Sequence, residues 1–168
     1  MQNKLIAEAV GTFGLALAVL TSLSMEGAVM VTPVVAGLVL ALFVYTIGAR
    51  SGCHINPAIT LGLWSINKIK TNDAVSYIIA QLLGALLAFG LVSTLIGNVA
   101  LGMAPESMTV FLAEIIGAAF FAFGVAAVVS GPVHGHMSGL VVGGSLLLGI
   151  MLAVAFGSAG ILNPAVAL

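Results

Sequence analysis

The tripeptide Asn-Pro-Ala occurs twice in this sequence, beginning at Asn56 and at Asn163. Asn is a favoured N-cap residue, and Pro is favoured at the first helical position because its missing N–H would be unpaired there anyway. Each triplet therefore predicts a helix start that presents a positive dipole end and an amide able to donate hydrogen bonds. Groups of this kind orient a polar molecule and repel cations, but they do not break covalent bonds.

Two carboxylates stand inside otherwise apolar segments, in the matching patterns Ala7-Glu8-x-x-Gly11 and Ala113-Glu114-x-x-Gly117. An ionisable side chain at membrane depth is a functional candidate because burying it is costly. No Lys or Arg lies within the same segments to pair with it. Glu8 and Glu114 are therefore expected either to brace neighbouring backbone or to relay protons.

The remaining reactive side chains do not form a catalytic set. Cys53, three residues before Asn56, either faces a pore or is an inert buried thiol, and His54 is either a pH sensor or a packed loop residue. His134 and His136 are too few ligands for a strong metal site. With no paired nucleophile and base and no phosphate-binding loop, the sequence predicts no enzyme, no cofactor and no metal site.

The composition indicates an integral membrane protein. Of 168 residues, 61% are hydrophobic and 5% are charged, and the mean hydropathy is +1.29. Soluble domains carry about 25% charged residues, so this chain has too little polar surface to be one. The net charge of −1 without a basic run argues against a nucleic-acid partner.

Five segments are long enough to span a bilayer, which needs roughly 20 apolar residues. They are Leu5–Leu23, Val29–Ala49, Ala74–Leu95, Thr109–Ser130 and Ser138–Gly157. The apolar run Ala58–Ile66 reaches only about half-way and is predicted to be a re-entrant half-helix after an unwound segment.

The cations predict how the chain is oriented in the membrane. Lys4 precedes the first span, and the other three cations lie between the second and third, whereas the loops after spans one and three contain only acids, Glu26 and Glu106. By the positive-inside rule, the N-terminus is expected to be cytoplasmic.

An internal duplication links these signals. The Ala-Glu-x-x-Gly patterns are 106 residues apart, and the Asn-Pro-Ala triplets are 107 residues apart. Three spans separate equivalent points, so the copies are predicted to enter the membrane from opposite sides as an inverted repeat. The expected organisation is a first repeat at 1–95, an extracellular connecting loop at 96–108 and a second repeat at 109–168.

These motifs, with Ser51-Gly-Cys-His-Ile-Asn-Pro-Ala-Ile-Thr60 and Gln81 in the third span, resemble the major intrinsic protein family of aquaporins and glycerol facilitators. The resemblance implies an all-α, aquaporin-like inverted-repeat bundle that is homotetrameric in the lipid bilayer and conducts water or small neutral solutes such as glycerol passively. It also implies that Asn56 and Asn163 line the pore and that Glu8 and Glu114 brace the re-entrant loops. A prokaryotic plasma membrane is the expected location.

The sequence departs from the family pattern at the expected selectivity filter. Val166 occupies the position where family members usually carry Arg, and the other filter positions fall at Ala36, Met151 and Gly160. This filter is expected to be wide and apolar, which favours solutes with carbon faces.

Only five residues follow Asn163, so the chain is expected to contain five full spans, one complete half-helix and the start of a second. It is interpreted either as a fragment of a longer product or as a short protein that folds beside partner subunits. A non-conducting structural module and a secondary transporter are the alternatives to a channel.

Overall fold

The computed structural model describes residues 1–97 and 107–167. Within these ranges the chain is helical and contains no β-strand. The helices are α1 (Gln2–Leu23), α2 (Ala28–Ser51), α3 (Pro57–Ser65), α4 (Thr71–Leu95), α5 (Met108–Val129) and α6 (Ser138–Ala155), with a short 3₁₀ turn at Gly135–Met137. Most of the predicted connecting loop 96–108, including Glu106, lies outside the described residues, as does Leu168.

Five of the described helices, all except α3, are long and apolar enough to cross a membrane. The predicted spans agree with them to within three residues at each end, and the predicted half-helix is observed as the nine residues of α3. Large apolar side chains point outward from these helices, for example Leu38 (65% exposed), Leu87 (68%) and Phe123 (75%). A helical bundle with an apolar exterior confirms the predicted all-α membrane fold.

Packing between helices depends on close approach of their backbones. α1 contacts α2 and α4, α6 contacts α2 and α5, and α3 packs on α4. Gly37 on α2 faces Gly143 on α6, and a Cβ atom added to Gly37 would lie 2.7 Å from the Gly143 carbonyl oxygen. Small residues at such crossings allow membrane helices to associate closely.

Local sequence fixes where the half-helix begins. α2 ends before Gly52, which has a φ of 89° that favours glycine. The chain then remains non-helical to Asn56, whose side chain accepts a hydrogen bond from the Ala58 N–H at 2.8 Å. Pro57 occupies the first helical turn. The unwound segment and α3 therefore follow from one glycine stop and one Asn-Pro start.

Candidate functional site

The two Asn-Pro-Ala elements meet inside the bundle. Asn56 and Asn163 are 2% and 5% exposed. The amide nitrogen of Asn56 donates to the carbonyl of Leu162 at 2.9 Å, and that of Asn163 donates to the carbonyl of Ile55 at 3.0 Å. Each asparagine thus bonds to the backbone just before the other. These bonds hold together the first loop, residues 52–56, and the second loop, residues 156–163, with approximate two-fold symmetry.

The same side chains cap the turns that follow them. Asn163 Oδ1 accepts from the Ala165 N–H at 3.1 Å, as Asn56 Oδ1 does from Ala58. The N–H of Val166 donates to the Asn163 carbonyl at 3.0 Å, so a helical turn begins there as one does at α3. Both amide oxygens and one N–H of each amide are therefore committed, and each amide keeps a second N–H.

Backbone conformation directs the carbonyls of both loops. The residues preceding the asparagines, Ile55 and Leu162, have positive φ values of 37° and 49°. Cys53 and Gly160, two residues earlier in each copy, also have positive φ, at 51° and 67°. A left-handed conformation at a bulky side chain costs roughly 1–3 kcal/mol and persists only where surrounding contacts enforce it.

Glu8 supplies such contacts to the first loop. Its carboxylate, fully buried, accepts hydrogen bonds from the His54 N–H (3.0 Å), the Ile55 N–H (2.7 Å), the Ser51 hydroxyl (2.6 Å) and the Gln81 amide (2.8 Å). Four donors satisfy the oxygens of an ionised carboxylate well. The segment between α2 and α3 is thereby tied to α1 and α4.

Glu114 makes matching contacts in the second loop. It accepts from the N–H groups of Ile161 (3.1 Å) and Leu162 (3.0 Å) and from the Ser158 hydroxyl. Glu114 is only half-buried, and an open groove of about 470 Å³ lies beside it. Among the described residues, no side-chain amide bonds to Glu114 as Gln81 does to Glu8, so Glu114 accepts from three donors and Glu8 from four.

Sequence reasoning assigned no role to Gln81 or Tyr77, which both belong to this network. Gln81 is fully buried and also donates to the Thr60 hydroxyl at 2.9 Å, and the Tyr77 hydroxyl donates to the Ser51 carbonyl at 2.8 Å. Gln81 Oε1 has no hydrogen-bond partner within the described part of the chain. A polar amide inside an apolar span was the available signal.

A cavity of about 250 Å³ runs along the two asparagines between α1, α2 and α6. Ala36, Gly160 and Val166, three of the four predicted filter residues, border it, as do Asn56 and Asn163. The α6 wall is formed by Leu146, Ile150 and Val154, which follow one another at helical spacing.

Met151 does not border this cavity, and its neighbour Ile150 does. The predicted filter position at Met151 depends on the number of residues between it and Asn163, with each copy aligned on its asparagine. That count crosses residues 156–162, which are not helical, so helical periodicity does not fix the register. Gly160 packs against Ile150, since an added Cβ would lie 2.9 Å from Ile150 Cγ2.

Cys53 lies in the hydrophobic core instead of on the cavity wall. It is 5% exposed, and its backbone N–H bonds to the Ser51 hydroxyl at 3.0 Å. His54 borders the cavity, with Nδ1 3.2 Å from the Thr60 hydroxyl. His134 and His136 do not border this cavity. Their rings are nearly parallel and 5.7 Å apart.

Comparison with known proteins identifies the family. The family model described as Major intrinsic protein matches residues 1–168. The chain belongs to the major intrinsic protein family. Family members are channels, and the two asparagine-capped loops around one cavity lie in an aquaporin-like fold.

Relatives within the family cover nearly all of this chain. Nodulin-26 of Glycine max is 35% identical over 175 residues, which are 97% of this chain and 64% of that protein. Glycerol uptake facilitator protein-like 6 of Lactiplantibacillus plantarum is 32% identical over 176 residues, 97% of this chain and 80% of that protein. The chain therefore spans a little under two thirds of the length of nodulin-26.

A solved structure of a family member shares the fold. The aquaglyceroporin from Plasmodium falciparum aligns with a TM-score of 0.78 and 25% sequence identity, covering 98% of this chain and 77% of that one. The predicted aquaporin-like bundle is confirmed by this alignment.

Proposed function

We propose that the protein is a passive transmembrane channel for water and small neutral solutes such as glycerol. The observation that carries the proposal is the cavity whose wall includes both Asn56 and Asn163. Two opposed helix starts that meet inside a membrane protein provide a polar binding site in an otherwise apolar path. The names of its relatives, which include a glycerol uptake facilitator and an aquaglyceroporin, agree with this function.

At this polar site Asn56 and Asn163 act as hydrogen-bond donors to the permeating molecule. One N–H of each amide is used between the loops, so the second is available to a solute oxygen. The two helix starts contribute positive potential, which disfavours cations. A molecule that accepts hydrogen bonds and carries no charge crosses this point most easily.

Solute size is set on one side of the asparagines by Ala36, Gly160 and Val166 together with an α6 residue. Ile150 borders the cavity at this wall and takes the role first assigned to Met151. These side chains are small or apolar, and none is a cation. We infer that the filter admits solutes with carbon faces, such as glycerol, in addition to water.

Glu8 and Glu114 hold the loops that present the asparagines. They accept from the backbone N–H groups of the positive-φ residues Ile55 and Leu162 and from the N–H group of the residue before each. The carboxylates are thus assigned a positioning role and not a proton relay, since Glu8 accepts from four donors and Glu114 from three, all in their own loops or in a neighbouring helix.

The two loops are further proposed to belong to inverted repeats, 1–95 and 109–168, joined by 96–108. Matching Asn caps and Glu contacts at offsets of 106 and 107 residues support this division. We also propose a homotetramer in a prokaryotic plasma membrane with a cytoplasmic N-terminus. Family membership supports the tetramer, and the Lys and Arg distribution supports the orientation.

The test is stopped-flow light scattering on proteoliposomes containing the purified full-length protein. Water and glycerol permeability are compared for wild type, for Asn56→Asp with Asn163→Asp, and for Asn67→Asp with Asn72→Asp. The last pair lies on the exposed surface and makes the same chemical change. We expect flux above empty liposomes in the wild type and in the surface variant, and its loss in the cavity variant, where two anions replace the amides.

Other outcomes separate the alternatives. Flux that stops when an imposed proton gradient or membrane potential is collapsed would indicate a secondary transporter. Permeability equal to that of empty liposomes, with inserted protein, would indicate a non-conducting structural module.

A further inference from the structure

One polar side chain borders the cavity away from the asparagines and their loops. Thr32 lies on α2 one helical turn before Ala36, which places it about 6 Å further along the helix axis. It is 9% exposed and borders the same cavity. The other polar side chains on the cavity wall all belong to the two loops: His54, Asn56, Ser158 and Asn163.

The Thr32 hydroxyl is held by Ser22 of α1. Ser22 Oγ lies 2.7 Å from the Val19 carbonyl oxygen and 2.9 Å from Thr32 Oγ1. A hydroxyl has one hydrogen, and a carbonyl can only accept. The Ser22 hydrogen therefore goes to Val19, and the hydrogen between the two hydroxyls belongs to Thr32. Thr32 Oγ1 consequently has no hydrogen left to donate and keeps both lone pairs for accepting hydrogen bonds.

A second acceptor lies beside it. Pro33 is inside α2 and buried. Because proline has no N–H, the carbonyl of Val29, four residues earlier, lacks its usual helical donor. Val29 and Pro33 both border the cavity. The α2 residues that border the cavity thus include Thr32, whose hydroxyl is oriented as an acceptor, and Val29, whose carbonyl lacks its usual helical donor.

We infer that Thr32 and the Val29 carbonyl form an acceptor site for the hydroxyl groups of a polyol before it passes the apolar filter. This inference rests on the proposed function and extends it, because it assigns a site that binds donors, complementary to the asparagine site that binds acceptors. A polyol has both kinds of group. At an apolar constriction a polyol loses several hydrogen bonds to water at once. Hydrogen-bond acceptors beside the constriction replace some of these bonds and so lower the free-energy barrier to permeation.

The test compares two substitutions at one position in the proteoliposome assay. Thr32→Val keeps the side-chain shape and removes the hydroxyl, whereas Thr32→Ser keeps the hydroxyl and removes a methyl group. We expect Thr32→Val to lower glycerol permeability about two- to tenfold, as for one lost hydrogen bond. Water permeability is expected to change less than about twofold, because waters in a file retain bonds to one another. Thr32→Ser should retain wild-type glycerol permeability.

Controls separate this site from general effects. Thr21→Val makes the same change at a hydroxyl that bonds within α1, to the Leu17 carbonyl, and is expected to leave both permeabilities unchanged. Equal glycerol permeability for Thr32→Val and the wild type would show that the hydroxyl is not needed and would overturn the site. A glycerol permeability that rises above the wild-type value only for Thr32→Ser would show that position 32 acts through its size, which would also overturn the site. A wild-type protein that conducts neither water nor glycerol would instead overturn the proposed function, and this site with it.

Discussion

At the scale of single residues, the carboxylates of Glu8 and Glu114 differ in how many hydrogen bonds they accept. Glu8 accepts from four donors and is fully buried. Glu114 accepts from three and is half-buried. Because a hydrogen bond to a charged group contributes more than one between neutral groups, the two loops are expected to depend on their carboxylates to different degrees.

Glu8→Gln is therefore expected to lower the free energy of unfolding by about 2–3 kcal/mol, since an amide NH₂ would face N–H donors. Glu114→Gln should cost less, because its site is more open. Denaturant titration in detergent, followed by fluorescence of Trp64, the single tryptophan, measures both. Glu26→Gln on the exposed surface is the control, and a midpoint for Glu8→Gln equal to that of this control would contradict the bracing role.

Val166 is the residue where a charge would most alter the filter. It is 7% exposed and borders the cavity. Val166→Arg places a long cation in this narrow apolar region, so we expect glycerol permeability to fall at least about tenfold, or roughly 1.4 kcal/mol in the barrier. Water permeability should fall less because water is smaller. Val166→Ala should conduct glycerol at least as well as wild type, and glycerol flux through Val166→Arg equal to wild type would exclude position 166 from the filter.

At the scale of helices, the α2–α6 crossing is determined by two facing glycines. A Cβ atom at Gly143 would collide with the Gly37 carbonyl oxygen, whereas the neighbouring Gly144 has nothing within 4 Å of an added Cβ. These two glycines occupy the same helix and differ only in the face on which they lie.

Gly143→Ala is expected to destabilise the protein by about 1–3 kcal/mol, because the helices must separate. Gly144→Ala should stabilise it by about 0.5–1 kcal/mol through helix propensity alone. Both values are measured as unfolding midpoints under the same detergent conditions. A midpoint for Gly143→Ala equal to or above that of the wild type would show that the crossing does not require glycine at this position.

Sequence reasoning was most successful for these helices. Hydropathy located all five spans because each must be apolar over its whole length, and the Asn-Pro signal located α3 because capping is local. It placed Met151 at the filter, whereas Ile150 borders the cavity, since residues 156–162 are not helical and helical periodicity does not fix the register across them. It also gave no role to Gln81 or Thr32, because a contact between helices such as Gln81 with Glu8 is set by tertiary packing.

At the scale of the whole molecule, the proposed inverted repeat predicts on which side of the membrane each connection lies. Residues 66–70, between α3 and α4, and the turn at Gly135–Met137 should lie on the same side of the membrane as the N-terminus. The short connection between α1 and α2 that contains Glu26 should lie on the opposite side.

Cysteine labelling checks this arrangement. In a Cys53→Ala background, single cysteines replacing Glu26, Asn67 and His136 are treated with a membrane-impermeant maleimide in right-side-out vesicles. Only the cysteine at 26 is expected to react before permeabilisation, and all three after it. Labelling at 136 together with 26 in intact vesicles would contradict the inverted topology.

The crossed asparagine bonds also bear on the order of events during synthesis. They join residues 106 and 108 positions apart in the chain. The first loop, although made early, lacks the donor to its Ile55 carbonyl until Asn163 has been inserted. Contacts between such distant residues form late in folding. The two crossed bonds are therefore expected to form together, so neither loop reaches its final geometry before the other has entered the bundle.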